Sequence, residues 1–399
     1  MFFIPYKNRP RCIKLGISKT FLGGERLRKK VEIFLMLLCF VILVGCSNKQ
    51  ANVKVPSGKS DFAKTTNFND YDANETKLKQ FIKNKMLTKK GIYTNYKQQK
   101  YVKSEARGHE LLSESSGMWL EYLAFTHRYQ EFREFYKETK KTFDQGTQFS
   151  YRFTPTTNKK ANVNATLDDL RIIRALQIYA DQTGSKTYKK EAAKRFAMLQ
   201  DKTMSNGKIA SFYDTNSKKA SVDGALAYYD FSTLKYFEST SKASKEMYQK
   251  QLAVVRGGYL GDAFPLYANS YDWKNKIYSN NDMNTSEVLE TIFHLSQIGE
   301  AKEVSINWLQ HQVDHNTLYN TYSTNGGVVD KGHSAGSYAI AAMIFASEHN
   351  SEMYHKAMDL AWKYQVTNKQ SPIYGGIGIA RQNEAYSFNN LTTLLATRY

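Results

Sequence analysis

The chain has 399 residues, of which 41% are hydrophobic and 23% charged, and this composition is typical of a globular protein. Its formal net charge is +19, but the basic residues are spread along the chain without a recognition motif, which argues against a nucleic-acid-binding protein. Only 6 prolines are present, and this favours helices over a loop-rich β architecture.

The first 46 residues have the pattern of an export signal. A basic flank ends at Lys30, and an apolar run too short for an ordinary membrane span extends from Val31 to Val44. The segment Leu43-Val44-Gly45-Cys46 resembles the bacterial lipobox, in which the cysteine is diacylated and becomes the new N-terminus. We therefore predict a lipoprotein signal peptide over residues 1–46 and a lipid anchor on Cys46, with a plain N-terminal membrane anchor as the alternative.

A lipid anchor on Cys46 places the protein on the extracellular face of the cell membrane. The other two cysteines, Cys12 and Cys39, lie in the leader, so the exported part is expected to be stable without a disulfide. Because that part is basic, we expect it to associate with anionic wall polymers.

The rest of the chain divides into a tether and one helical domain. Residues 47–72 are polar and lack periodicity, which predicts a flexible tether. Over residues 73–399 apolar side chains recur at helical spacing, as at Leu170, Ile173 and Leu176. Twelve helices are predicted, beginning near Asn74, Glu105, Arg128, Leu167, Ser185, Phe231, Ser244, Thr285, Ala301, His333, Ser351 and Ser387.

These helices pair as hairpins that recur about every 55–60 residues, a spacing typical of stacked or ring-closed repeats. Six hairpins of this length predict an all-α fold, an (α/α)6 barrel or six-hairpin toroid, with an open helical solenoid as the alternative. The inner helices of a closed barrel run parallel, so their N-termini share one mouth. The predicted inner helices begin near Glu105, Leu167, Phe231, Thr285, His333 and Ser387.

Three segments place carboxylates at the predicted mouth. Glu114 lies on an apolar stripe between Leu111 and Met118, where burial would raise the pKa of its carboxyl as a general acid requires. A buried glutamate paired with an arginine of a neighbouring helix is an equal alternative for Glu114.

The segment Asn164-Ala165-Thr166-Leu167-Asp168-Asp169-Leu170 is the second. Thr166 with Asp169 has the spacing of a capping box, which leaves Asp168 without a capping role. A polar pair at a helix mouth could also hold sugar hydroxyls.

The third segment, Asn280-Asn281-Asp282-Met283-Asn284, precedes the helix from Thr285. Asn284 with Glu287 can cap that helix, so Asp282 is not needed for capping and is either catalytic or a solvated loop residue. Tyr271, Asp272 and Trp273 lie nearby, and aromatic faces suit the apolar faces of sugar rings, although such residues are more often core.

These segments resemble glycoside hydrolase family 8. That family has a Ser-Glu at the start of an inner helix followed by Gly-Met, which Ser113-Glu114 and Gly117-Met118 match. It also has an Ala-Thr-Asp-Ala-Asp-Leu stretch, matched by residues 165–170 except that Leu167 replaces the first aspartate and Asp168 follows it. By register, Asp282 matches the family's catalytic base, and Asp272 is a rival.

The resemblance spans residues 75–399 and implies an (α/α)6 barrel that hydrolyses β-1,4-linked glycans with inversion. Glu114 would then be the general acid and Asp282 the general base. The substrate-binding residues would be Asp168, Asp169, Trp119, Tyr228, Tyr271, Asp272 and Trp273.

Two other functions stay open beside an endo-acting hydrolase of a polysaccharide such as the cell's own exopolysaccharide. A catalytically inactive polysaccharide-binding lipoprotein would explain Leu167 and a Glu114 segment two residues shorter than the family pattern. A helical scaffold that binds protein partners is the other.

Metal, cofactor and esterase chemistry are not expected. The 8 histidines show no metal-ligand spacing and no phosphate-binding loop is present, so we predict neither a metal nor a cofactor. The segment Gly332-His333-Ser334-Ala335-Gly336 fits the Gly-x-Ser-x-Gly pattern of α/β-hydrolases, but that pattern requires alternating β and α units. Its glycines are better explained by close helix packing.

Overall fold

The computed structural model describes residues 53–399. The predicted signal peptide and the lipidation site Cys46 lie outside the described residues. Within the described range, no helix is long and apolar enough to cross a membrane.

Twelve α-helices make up the described part of the chain and alternate between an inner and an outer set. The inner helices are α2 (Ser113–Phe125), α4 (Thr166–Thr183), α6 (Phe231–Glu238), α8 (Thr285–Ser296), α10 (Ala335–Ser347) and α12 (Ser387–Ala396). The outer helices are α1 (Asp72–Phe81), α3 (Tyr129–Phe143), α5 (Lys186–Thr203), α7 (Lys242–Gly257), α9 (Glu303–Asp314) and α11 (Ser351–Trp362).

Burial distinguishes the two sets. Helices α2 and α10 are buried on nearly every face, which is possible only for helices surrounded by other helices. Outer helix α3 buries one stripe that includes Phe132, Phe135 and Tyr136 and exposes the opposite face. The inner and outer assignment made from the sequence is therefore confirmed.

The inner helices close into a ring. Helix α2 packs against α4 on one side and against α12 on the other, and α8, α10 and α12 pack in succession. Between α4 and α8 the ring is completed by α6 and a 3₁₀ helix, Leu226–Tyr228. This closure confirms the predicted (α/α)6 barrel and excludes the open solenoid.

Small antiparallel sheets surround the N-terminal ends of the inner helices. Three of them have three strands: Leu111–Leu112 (β3) with Arg152–Thr154 (β4) and Lys159–Lys160 (β5), Asp223–Ala225 (β10) with Ser270–Asp272 (β11) and Ile277–Tyr278 (β12), and Met283–Asn284 (β13) with Thr321–Tyr322 (β14) and Val328–Asp330 (β15). The two-stranded sheets are Leu87–Thr88 (β1) with Gly91–Ile92 (β2), Met204–Ser205 (β6) with Lys208–Ile209 (β7), and Tyr213–Asp214 (β8) with Lys219–Ala220 (β9). Strands β3 and β13 run directly into α2 and α8 and so fix where those helices start.

One helix start differs from the prediction. The helix expected near Glu105 begins at Ser113, because the preceding residues form a loop and strand β3. Glu110 in this loop is buried and pairs with Arg152 of β4 at 2.6 Å between Oε2 and Nη2. A buried ion pair that anchors loop to sheet leaves these residues unavailable for a helical turn.

Part of the predicted tether packs on the barrel at the end opposite the mouth. Phe62 is 4% exposed, and its ring lies 5.4 Å from that of Tyr236 and 5.3 Å from the guanidinium of Arg174. The Ser60 hydroxyl donates to Asp181 at 2.6 Å, near the C-terminal end of α4. Residues 54–71, here called the strap, are therefore held to the domain, and the sequence pattern missed this because two isolated phenylalanines produce no periodicity.

Candidate functional site

Glu114 and Asp168 meet at the mouth, on the first turns of α2 and α4. The Ser113 hydroxyl donates to Asp168 Oδ2 at 2.7 Å and so ties the two helix starts together. The helices approach closely because Gly117 has no side chain, and a Cβ atom there would lie 2.8 Å from Arg171 Cβ. The Gly-Met that follows Glu114 is thus a packing requirement of the site.

Arg171 is the centre of the site. Its guanidinium lies 3.6 Å from Glu114 Oε1 and 3.5 Å from Asp168 Oδ1, and Nη2 donates to Glu290 Oε1 at 2.5 Å. One cation therefore faces three carboxylates from three inner helices. Glu287, one turn before Glu290 on α8, adds a fourth carboxylate. We call Glu114, Asp168, Arg171, Glu287 and Glu290 the charge cluster.

Burial and the charge of Glu114 raise the pKa of the three other carboxylates of the cluster. Burial and the charge of Glu114 raise the pKa of Asp168 well above its usual range. The same two causes raise the pKa of Glu287 and bring that of Glu290 to about 7, against the pull of Arg171 on Glu290. Glu114 keeps 19% of its side chain exposed and so reaches solvent, whereas Asp168 and Arg171 are more deeply buried. Carboxylates that outnumber the single arginine beside them can accept and release protons near neutral pH.

Tyr228, expected to bind substrate, lies within reach of the charges of this cluster. It is 4% exposed on the 3₁₀ helix, and burial together with the charge of Asp168 raises the pKa of its hydroxyl. Below the cluster, Arg171 and Glu290 also line an internal cavity of about 50 Å³.

A second set of charges lies deeper in the barrel. Arg174 pairs with Glu121 at 3.3 Å and with Asp230 at 3.6 Å, and all three are buried. Burial raises the pKa of Glu121 to about 7, while it lowers that of His294 to about 4, so the imidazole is neutral. These groups line the same cavity as Arg171 and Glu290.

Asp169 has a structural part in holding the mouth together. It is 3% exposed, and its two carboxylate oxygens accept from the backbone N–H of Phe149 at 2.9 Å and from Asn164 Nδ2 at 2.8 Å. The predicted capping box is absent, because Thr166 instead donates to the carbonyl of Ala210 at 2.6 Å. Because both of its oxygens accept hydrogen bonds within the protein, Asp169 supports the loops around Asp168. The structure therefore corrects the expectation that Asp169 contacts sugar.

Trp119 also lies away from the mouth. It is 1% exposed, and its ring stacks on that of Tyr122 at 5.5 Å. Five residues after Glu114 on a helix of 3.6 residues per turn, it faces the packed side of α2. The structure therefore corrects its expected role in substrate binding to a role in the core.

Asp272 occupies a turn. Its Oδ1 accepts from the backbone N–H groups of Lys274 and Asn275, both at 2.8 Å, and its Oδ2 accepts from Asn275 Nδ2 at 2.8 Å. The bonds from Asn275 and Lys274 hold the pKa of Asp272 below its usual range. A carboxylate so committed to the β11–β12 turn is poorly placed to be the rival base.

Asp282 and the two aromatic residues lie on loops of the same face. Asp282 is exposed immediately before β13, where Asn269 Nδ2 donates to its carbonyl at 2.8 Å. Asn284 caps α8 as expected, accepting from the N–H groups of Ser286 and Glu287. Tyr271 and Trp273 are half-buried on and beside β11, with ring centroids 4.7 Å apart.

Ser334 has no catalytic partner. Its hydroxyl donates to Asn389 Oδ1 at 2.9 Å, and a Cβ at Gly336 would lie 2.7 Å from Phe388 Cε1. The glycine thus permits close packing of α10 on α12. Among the described residues no group of histidine, cysteine, aspartate or glutamate side chains could hold a metal ion.

The sequence reasoning missed Arg171, Glu287 and Glu290. The sequence did contain an indication of a polar site on α8. Glu287 and Glu290 lie three residues apart on a helix that otherwise buries Val288, Leu289 and Ile292. Two carboxylates on one face of an inner helix are costly unless a cation or solvent meets them.

The comparisons with known proteins bear on the fold. No family model matches the chain. The Bacillus subtilis protein "Putative lipoprotein YdaJ" is 27% identical over 291 residues, which are 72% of this chain and 78% of that protein. A structure described as a novel α-amylase from Clostridium perfringens has 27% identity and a TM-score of 0.75, covering 82% of this chain and 97% of the other.

Family 8 glycosyl hydrolases are also among the structural neighbours. Endoglucanase Cel10 from Klebsiella pneumoniae has a TM-score of 0.57 at 13% identity and covers 80% of this chain and 98% of its own. The xylobiose complex of a family 8 protein from Teredinibacter turnerae has a TM-score of 0.59 at 11% identity and covers 82% of this chain and 93% of its own. The chain has the fold of the family 8 glycoside hydrolases. In that fold the charge cluster lies at the mouth of the barrel, where the inner helices begin.

Proposed function

We propose that this protein is an inverting, endo-acting glycoside hydrolase with Glu114 as its general acid. The observation that supports this most strongly is the convergence of Glu114, Asp168 and Arg171 at the mouth of a closed (α/α)6 barrel. Glu114 reaches solvent and can meet a glycosidic oxygen. Asp168 and Tyr228 lie beside it and can hold the sugar unit at the point of cleavage.

Two carboxylates near the start of α8 are candidates for the general base. Asp282 is exposed, as a base that must take a proton from water requires, and it matches the family pattern by register. Glu287 belongs to the charge cluster, one turn before Glu290 on α8, and the charge of Glu114 acts on it. In an inverting enzyme the two carboxyls stand about 6.5–9.5 Å apart with a water between them. We propose Asp282 as the base and Glu287 as its competitor.

Two types of glycosidic linkage are candidates for the bond that is cleaved. A β-1,4-linked polysaccharide is the first, because family 8 endoglucanases and xylanases share the fold. An α-linked glucan is the second, because the structural neighbour described as an α-amylase has 27% identity, well above the 11% and 13% of those family 8 proteins. An inactive polysaccharide-binding protein would have the same barrel mouth but would cleave neither type of linkage.

A polymer panel tests the proposal. Reducing ends released from the cell's own exopolysaccharide, cellulose, mixed-linkage glucan, xylan, chitosan, partly deacetylated aminosugar polymers and starch should show cleavage of at least one. Asp282→Asn should then abolish turnover while Glu287→Gln keeps part of it, and the reverse order would assign the base to Glu287. Binding to a panel polymer with no cleavage of any would favour the inactive binder.

We also propose that Cys46 carries a lipid anchor that holds the enzyme on the extracellular face of the membrane, as the name of the Bacillus subtilis relative suggests. A tethered hydrolase acts best on polymers that surround its own cell, so the cell's exopolysaccharide is the substrate to test first.

A further inference from the structure

A groove separate from the charge cluster lies on the same side of the barrel. Its volume is about 330 Å³, and it is bounded by the end of α5 and strands β6, β7 and β9. Its lining includes Trp273, Lys208, Lys274 and Val222, and none of the charge-cluster residues. Ala210 also lines it, and the carbonyl of Ala210 accepts the hydroxyl of Thr166 at the start of α4. The groove therefore backs onto the same helix start that carries Asp168.

Trp273 is held rigidly in this groove. Its backbone N–H donates to the Val222 carbonyl at 2.9 Å, and its indole Nε1 packs against the backbone of Gly224. A Cβ at position 224 would lie 3.1 Å from that nitrogen and 2.1 Å from the carbonyl oxygen of Ile209. Glycine is thus required to seat the indole, which leaves the ring half-buried with part of it on the groove. A fixed aromatic surface suits the apolar face of a sugar ring.

The charge of the groove is positive. The Lys208 ammonium lies 5.6 Å from the centre of the Trp273 ring, and Lys274 follows Trp273 in the chain. Among the described residues neither lysine makes an ion pair, although the charge of Lys274 acts on Asp272. The groove also contains Asp201, which is paired with Lys202 at 2.7 Å. The ammonium groups of Lys208 and Lys274 beside an aromatic ring attract a polymer that bears both sugar rings and anionic groups.

We propose that the groove formed by Trp273, Lys208 and Lys274 binds an acidic polysaccharide beside the catalytic mouth. The polymer would stack one sugar ring on Trp273 and place its carboxylate or phosphate groups on the two lysines. Such a site keeps a long chain on the enzyme between cleavage events. The proposal rests on the proposed function for the identity of the ligand as a polysaccharide.

The test measures binding without cleavage, on the full chain with Glu114→Gln. The probe is polygalacturonate, and its methyl-esterified form is the matched polymer without charge. Titration calorimetry should show binding of the acid form that weakens with salt, and little binding of the ester. Lys208→Glu with Lys274→Glu should weaken binding by about tenfold or more, a loss of about 1.4 kcal/mol.

The matched control reverses two exposed lysines at the other end of α5, Lys186→Glu with Lys190→Glu, and should leave affinity unchanged. Trp273→Ala should lose binding. Trp273→Phe should recover part of it, which separates the ring's role from a loss of folding that circular dichroism would detect.

Several outcomes would overturn the proposal. They are equal affinity for the acid and ester polymers, no effect of the double lysine reversal, or binding of poly-γ-glutamate as tight as that of the polyuronate and insensitive to Trp273→Ala. Tighter binding of single-stranded oligo-dT would instead make the groove a nucleic-acid site. Polymer cleavage is measured in a separate assay, so the binding result can be interpreted even if the proposed catalytic role is wrong.

Discussion

The stability of the charge cluster should depend on pH through Glu290, and Glu290→Gln isolates that dependence. Glu290 accepts from Arg171 at 2.5 Å on inner helix α8. Burial raises the pKa of its carboxyl from 4.5 to about 7 in the folded protein. The folded state therefore holds this proton more tightly than the unfolded chain does.

This difference in pKa sets the direction and the size of the effect of pH on the free energy of unfolding. Below pH 4.5 the carboxyl is protonated in both states, and its neutral form is fully tolerated. As the pH rises toward about 7 the unfolded chain ionises first, so the free energy of unfolding falls. At 1.36 kcal/mol per pH unit, the loss from this one group is about 3 kcal/mol. Glutamine does not ionise and escapes this loss.

The assay is urea unfolding of wild type and Glu290→Gln from pH 4.5 to pH 8, because subtraction removes the titrating groups that do not interact with Glu290. The variant should gain about 3 kcal/mol relative to wild type across this range. Glu246→Gln, at an exposed position on α7, is the control and should give a flat difference. A flat difference for Glu290→Gln as well would refute the account of the buried cluster.

Three further predictions concern the core, the strap and the anchor. Trp119→Ala should lower the free energy of unfolding by about 3–5 kcal/mol while polymer affinity stays unchanged at a temperature where the variant is folded, and a selective loss of affinity would restore Trp119 to the binding site. Phe62→Ala should destabilise the barrel by about 3 kcal/mol in denaturant titrations, whereas a flexible tether predicts no change. Cys46→Ala should leave an unprocessed precursor without the mass of a diacylglycerol, and a mature N-terminus at another residue in wild type would contradict the lipobox.

The sequence predicted the barrel well because helical periodicity is a local property. Each inner helix is recognisable from its own apolar residues, and the recurrence of hairpins predicted closure. The sequence placed Glu114 and Asp168 on two inner helices, but the helix of Glu114 was expected to begin near Glu105, and only the structure puts Glu114 on a first turn beside Asp168. Gly117 then supplied the close approach that no single helix could show.

Other features depend on contacts between distant segments, and the sequence pattern did not reveal them. Whether Trp119 faces the mouth or the core is set by the rotation of α2 against its neighbours. Asp169 appeared to be a capping residue, yet its partners are the backbone N–H of Phe149 in a preceding loop and the side chain of Asn164 just before its own helix. The turn at Asp272 does have a local pattern, because an aspartate followed by polar residues in a hairpin is typical of a side-chain-stabilised turn.

The most direct test of the central claim is the rate and stereochemistry of the first cleavage event. Proton NMR of the initial product from the polymer that the panel identifies should show the anomeric configuration opposite to that of the substrate. Glu114→Gln should lower the turnover rate by about 10²–10⁴ and leave polymer affinity nearly unchanged, because glutamine keeps the shape of the acid but has no acidic proton to donate. A product of retained configuration would contradict the inverting mechanism, and turnover unaffected by Glu114→Gln would remove Glu114 from the catalytic site.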